Sequence, residues 1–163
     1  MTRATEATET MDILLIEGER GSIRLALDAA PSGAQQRHLW QAKDESEATA
    51  FLFKQEAHAD APTPDLILLD LDYPNRDGHR VLSAIKRHKA LRSIPVIALG
   101  TSVARRDVFE AYWLGANCYI RKPLEADRLR SILATIDRFW RFTARLPSTS
   151  LARYGIEAQR HFS

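Results

Sequence analysis

At 163 residues, 45% hydrophobic and 27% charged, the chain is long enough for one domain with a buried core, and its composition is that of an ordinary globular protein. A formal net charge of +2, with arginines spread among acids, gives no reason to expect a nucleic-acid surface, and no apolar run approaches the roughly 18 residues of a membrane span. The single cysteine, Cys118, excludes an internal disulfide, and without an apolar signal core near the start the expected location is the cytoplasm.

In chain order, residues 1–11 are polar and Thr/Glu-rich and read as a disordered leader. Ile13, Leu14, Leu15 and Ile16 form a short apolar run that suits a buried strand and ends in an acid, Glu17. Gly18, Glu19, Arg20 and Gly21 form a loop. Ile23, Leu25, Ala26, Leu27 and Ala30 then keep a helical spacing until Pro31, Ser32 and Gly33 stop it. Residues 37–42 give a weaker strand pattern, placed at the sheet edge. Asp44 with Glu47 reads as a capping box opening a helix that carries Ala48, Phe51, Leu52 and Gln55, and 58–64 is a polar connection.

Leu66, Ile67, Leu68 and Leu69 form an uninterrupted apolar run that ends abruptly in Asp70. Pro74, Asn75 and the Asp77-Gly78 pair are turn residues, and a periodic segment from Val81 to Ile85 follows. Ile94 and Pro95 lead into a further run, 96–99, which ends in Gly100, Thr101 and Ser102. Ser102 is the expected N-cap of a helix bearing Val103, Val108, Ala111, Tyr112 and Leu114, with Gly115 as its stop. Residues 117–121 form a fifth strand before Lys122 and Pro123. Cys118, on that strand, reads as a packed thiol. The last helix starts near Leu124 and carries Leu129, Ile132, Leu133, Ile136, Phe139, Trp140 and Thr143 on one stripe, ending at Pro147.

Five alternations of strand and helix call for a parallel sheet covered on both faces. They predict a flavodoxin-like (βα)5 doubly wound fold with strand order 2-1-3-4-5. In such a sheet the carboxyl ends of the strands share one edge, so Glu17, Asp70, Gly100, Thr101 and Lys122 gather there. Carboxylates are hard oxygen ligands suited to Mg²⁺, a lysine balances anionic charge, and an aspartate there is placed to become an acyl phosphate.

The segments DLILLDLDYPNRDGHRVL, IPVIALGTS, LGANCYIRKP and FWRFTARLP stand in the order and positions of one family. Over residues 12–146 the chain resembles the receiver (response regulatory) domain of a two-component response regulator. More narrowly, it is similar to the small single-domain regulators that pair with phytochrome-type sensor histidine kinases. Residues 147–163 are left as a C-terminal tail, in which Leu151, Tyr154 and Ile156 are the side chains able to dock.

The resemblance implies phosphorelay signalling, with Asp70 as phosphoacceptor and not a turnover enzyme. It puts Lys122 and Thr101 against the phosphoryl group, Glu17 and Asp70 in the acidic pocket, and the Asp72 backbone carbonyl on the metal. It also makes Tyr119 the switch aromatic, and in that family the bond between Lys122 and Pro123 is often cis. Two positions depart from the pattern. Gly18 replaces the second acid, which weakens Mg²⁺ binding unless Glu19 reaches in, and Gly100 replaces the phosphoryl-binding hydroxyl. These losses leave two readings open: weakened but real phosphorylation of Asp70, or an atypical receiver in which Asp70 pairs directly with Lys122 and signals through protein contacts.

An alternative is a haloacid-dehalogenase-type phosphatase using Asp70 and Asp72 as nucleophile and acid/base. It fits less well, because Pro74 stands where Thr or Val is usual and a strand-helix-strand-helix segment precedes Asp70. The five histidines show no metal-pairing spacing. Phe139, Trp140 and Phe142 cannot share one narrow stripe, since neighbouring helical residues diverge by about 100°. They suggest a partner surface, for a homodimer first and for the kinase second, unless the tail covers them. Trp113 suits either an exposed or a core position. Beyond Pro147 there is no room for a DNA-binding domain.

Overall fold

The computed structural model describes residues 10–19, 21–29, 37–72 and 76–147. Five strands, β1 (Met11–Ile16), β2 (Arg37–Ala42), β3 (Leu66–Asp70), β4 (Val96–Gly100) and β5 (Cys118–Arg121), form one sheet. All pairings are parallel and the order is β2-β1-β3-β4-β5, as the alternation predicts. The helices are α1 (Ser22–Asp28), α2 (Glu45–Leu52), α3 (Asp77–Arg87), α4 (Arg105–Trp113) and α5 (Ala126–Arg138). A 3₁₀ turn spans Glu56–His58, and a π-helical turn, Phe139–Thr143, follows α5.

The uninterrupted apolar runs become strands because both of their faces are covered. Side chains alternate across a strand, so the sheet divides its residues into two cores. Leu14, Ile16, Ile67, Leu69 and Ala98 pack toward α2, α3 and α4 with Phe51, Leu82 and Ile85. Ile13, Leu15, Leu66, Leu68, Ile97 and Leu99 pack toward α1 and α5 with Ile23, Leu129 and Leu133. In β3 every residue is buried, whereas β2 and β5 at the sheet edges are only partly covered.

The capping box at α2 forms with a shift of one residue. Asp44 Oδ1 accepts from the Glu47 N–H at 2.8 Å, and the Glu47 carboxylate reaches back to the N–H of Lys43, also at 2.8 Å. Gly115 ends α4 with φ of +101°, and a Cβ there would lie 2.7 Å from Lys86 Cγ, so only glycine fits the stop.

Several sequence expectations need correction. Ser102 does not cap α4: the N-cap is Ala104, without a side-chain bond, while the Ser102 hydroxyl donates to the Asp107 carboxylate. The Ser102 oxygen instead accepts from the Ala104 N–H at 3.2 Å, which closes a turn ahead of a helix that starts only at Arg105. Of the apolar residues expected to seat α4, only Ala111 is buried; Val103 and Tyr112 are exposed, and Trp113 is on the outside. The last helix starts two residues late and changes to π geometry at Phe139. Gln55 lies beyond the end of α2, β1 begins within the expected leader, and β5 starts at Cys118. Arg20, the stop at 31–33, the turn residues Pro74 and Asn75, and the tail from 148, with Leu151, Tyr154 and Ile156, lie outside the described residues. Among the described residues no helix is long and apolar enough to cross a membrane.

Candidate functional site

Parallel pairing brings the ends of β1, β3, β4 and β5 to one edge. Leu71 N–H extends the ladder to Leu99 C=O at 2.8 Å, and Lys122 N–H bonds Gly100 C=O at 2.8 Å. These bonds fix where Asp70, Thr101 and Lys122 leave the sheet. Asp70 is buried, with 8% of its surface exposed. Lys122 Nζ lies 2.8 Å from Asp70 Oδ2 and 2.9 Å from Asp72 Oδ2, so one ammonium bridges two carboxylates. Burial disfavours the Lys122 cation, but hydrogen bonds and charge from Asp70 and Asp72 outweigh it and hold its pKa above the usual lysine value.

The Asp72 side chain is the part of the site that spacing did not reveal. Its N–H donates to Asp70 Oδ1 at 2.8 Å, tying the two acids together. Its carboxylate accepts from the Thr101 N–H at 3.0 and 3.2 Å and from Thr101 Oγ1 at 3.2 Å. The receiver resemblance assigned Asp72 only a backbone role, and its side chain was given a part only in the phosphatase alternative. The available signal was the Asp-x-Asp spacing beyond a strand end, next to a glycine in the neighbouring strand.

Glu17 is fully buried, but it faces α1. Its Oε1 accepts from Ile23 N–H at 2.7 Å and its Oε2 from Arg24 N–H at 2.9 Å. It therefore satisfies the first turn of a helix whose own N-cap, Gly21, has no side chain. A Cβ on Gly21 would lie 1.8 Å from Glu17 Cδ, so that glycine is what lets the carboxylate fold over the helix. Burial raises the Glu17 pKa above the usual carboxylate value; the two N–H bonds oppose the shift, and the nearby Asp70 charge adds to it.

At Gly100 the missing side chain is replaced by another residue. A Cβ there would lie 2.7 Å from Tyr119 Oη and 3.3 Å from Cζ. The Tyr119 hydroxyl occupies that space and donates to Ser102 C=O at 2.8 Å. Burial raises its pKa, and the carboxylates of Asp72 and Asp107 add to the rise. Beside it lies a cavity of about 260 Å³ lined by Leu71, Arg76, His79, Ser102, Asp107 and Tyr119, and edged by Asp72. His79 Nδ1 is buried there with no hydrogen-bond partner, and burial lowers the His79 pKa.

As arranged, the donor set falls short of the near-octahedral oxygen ligation that Mg²⁺ requires. Both Glu17 oxygens are committed to α1, both Asp70 oxygens are engaged by protein donors, and Gly18 offers no side chain. Glu19 does not fill the gap: it is exposed and faces Lys43 at 3.5 Å. Among the described residues no group of three His, Cys, Asp or Glu side chains is placed to hold a metal. Nor is any peptide bond cis among them, so Lys122–Pro123 is trans.

The other candidates sit away from this edge. Cys118 is half-buried against the second core, and burial raises its pKa, so it is a packed thiol. The aromatics beyond α5 part company. Phe139 and Phe142 are exposed, while Trp140 packs against the second core and meets Phe139 edge-on at 5.3 Å.

Comparison with known proteins matches residues 13–134 to the response regulator receiver domain. Response regulator Rcp1 of Synechocystis sp. is 37% identical over 136 residues, covering 83% of this chain and 92% of Rcp1. The crystal structure of the phosphorylated cyanobacterial phytochrome response regulator RcpA superposes with a TM-score of 0.79 at 40% identity, over 85% of this chain and 99% of RcpA. The Mn²⁺-bound form of Rcp1 gives 0.74 at 35% identity, over 85% and 99%. These relatives give no support to a haloacid-dehalogenase-type reading.

Proposed function

Starting from the fact that the chain belongs to the response regulator receiver family, we propose that Asp70 accepts a phosphoryl group from a sensor histidine kinase, and that this kinase is of the phytochrome type. The observation that carries the reading is Asp70 at the carboxyl end of the central strand, with the Lys122 ammonium 2.8 Å from Oδ2. In the transfer an Asp70 carboxylate oxygen forms a P–O bond as the P–N bond of a phosphohistidine breaks. The imidazole leaves and takes up a proton. Lys122 meets the negative charge gathering on the transferred group, which makes it a positioning charge. Mg²⁺ binds weakly in this reading, because Gly18 supplies no carboxylate.

A second reading has its own support. The direct pairing of Asp70 with Lys122, together with Gly18 and Gly100, suits a domain that signals by contact without a phosphoryl group. One experiment separates the two. Intact mass is recorded after incubation with acetyl phosphate and Mg²⁺, with Asp70→Asn as control. An added phosphoryl mass that is absent from the control is the expected result. No adduct on a folded sample defeats the phosphoacceptor reading and leaves the contact reading. The proposed setting is the cytoplasm, and the proposed assembly is a homodimer through the exposed Phe139 and Phe142.

A further inference from the structure

The donors that an anion on Asp70 needs are already in use. A phosphoryl group bonded to Asp70 Oδ projects its oxygens toward the nearest positive and N–H groups of the pocket. These are Lys122 Nζ, 2.8 Å from Asp70 Oδ2, and the N–H and hydroxyl of Thr101. All three bond the Asp72 carboxylate, which lies 2.9 Å from Lys122 Nζ and 3.0 Å from Thr101 N. We propose that Asp72 is an internal anion that occupies the phosphoryl cradle, and that it must be displaced before Asp70 is loaded. The proposal rests on Asp70 being the phosphoacceptor, and it assigns Asp72 the role of setting how readily the site fills.

Three features of the site support it. The Asp72 N–H to Asp70 Oδ1 bond fixes the Asp72 backbone beside Asp70, and the bonds from Thr101 and Lys122 hold its carboxylate in the cradle. Gly100 does not crowd Asp72 as it reaches Thr101; a Cβ there would already touch Asp72 Oδ1 at 3.4 Å, and a larger side chain would press on it. Charge also matches, since Asp70 and Asp72 present two carboxylates to Lys122, and an acyl phosphate on Asp70 replaces them with a phosphoryl group of about −2 charge. The Asp72 carboxylate is 31% exposed, so solvent is beside it and can receive it when it leaves. A tetrahedral anion entering the pocket must then compete for charge-assisted hydrogen bonds that are already made.

The test compares wild type, Asp72→Asn and Asp72→Ser, with Asp107→Asn as a control that removes an acid from the same cavity without touching Lys122 or the Thr101 N–H. Phosphorylation by acetyl phosphate is followed by intact mass. Beryllofluoride affinity is measured in parallel from the Thr101 amide resonance. The expected result is about a tenfold gain in loading rate and in beryllofluoride affinity for both Asp72 variants, the factor that goes with one hydrogen bond to a charged group. Asp107→Asn should stay near wild type.

If no variant gains a phosphoryl group but beryllofluoride still binds more tightly to the Asp72 variants, the cradle inference stands and the phosphoacceptor reading fails. Unchanged beryllofluoride affinity in folded Asp72 variants overturns the inference, with or without phosphorylation. An equal gain in Asp107→Asn overturns it too, since the effect would then be general charge relief.

Discussion

Two pairs of residues at the site depend on each other through a missing Cβ. Gly21 and Glu17 are the first. Alanine at 21 would drive the Glu17 carboxylate off α1 and leave the Ile23 and Arg24 N–H groups unpaired, each costing about 1–3 kcal/mol while it stays buried. Glu17 also carries a pH signature of definite sign. Because its pKa is raised in the folded chain, folding retains a proton that the unfolded chain releases from about pH 4.5 upward. Its contribution therefore falls as pH rises through the window above that value, and it is constant beyond the raised pKa. Urea unfolding at a series of pH values should show that slope in wild type and lose it in Glu17→Gln. The second pair is Gly100 and Tyr119. Restoring the hydroxyl with Gly100→Thr puts a Cβ 2.7 Å from Tyr119 Oη, so the variant should lose stability. In a Tyr119→Phe background the closest remaining ring atom is at 3.3 Å, and a double-mutant cycle by urea unfolding should give a coupling of about 1 kcal/mol. Additive losses would show that the two do not share this space. The glycines at 18 and 100 were legible in the sequence as gaps. What fills or avoids those gaps was not, because spacing gives position along the chain and not the direction of a side chain from a neighbouring strand.

At the level of elements, legibility followed burial. Strands covered on both faces, β1, β3 and β4, appear as unbroken apolar runs, and their sequence limits match the structure within a few residues. The capping box was legible because its two partners are local, even though it closes on Lys43. The start of α4 was not, because the Ser102 oxygen accepts from the Ala104 N–H in a turn ahead of the helix, which begins only at Arg105. The change from α5 to the π-helical turn was also hidden. Trp140 still continues the stripe of Leu129, Leu133 and Ile136 against the core, while Phe139 and Phe142, three residues apart, turn outward together. That division makes the proposed dimer testable. Phe139→Ser with Phe142→Ser should leave the fold intact and shift the molecule to monomer in sedimentation velocity. Trp140→Ala should instead lower stability by about 3 kcal/mol, the low end for truncating a packed tryptophan, since this one is only partly buried. A wild-type monomer at micromolar concentration would remove the dimer from consideration.

For the whole molecule, topology does most of the placement. Strand order β2-β1-β3-β4-β5 puts β3 between β1 and β4, where crossovers leave in opposite directions and the strand ends open a crevice. That much followed from counting strand–helix alternations. The family followed from four motifs in order, and residues 13–134 bear it out. The same arrangement has a mechanical consequence at the sheet edge. β5 has four residues and none is fully buried, so apolar packing holds it weakly. What fastens its carboxyl end is Lys122, bonded through its N–H to Gly100 at the end of β4 and through its ammonium to Asp70 and Asp72 beyond β3. The ends of three strands thus meet at one residue. Amide hydrogens of β5 should then exchange at a rate set by how that cation is shared. Any event that redirects Lys122 changes how long the edge strand stays closed, and α4 and α5, which flank β5 in the chain, feel the change as a difference in local opening.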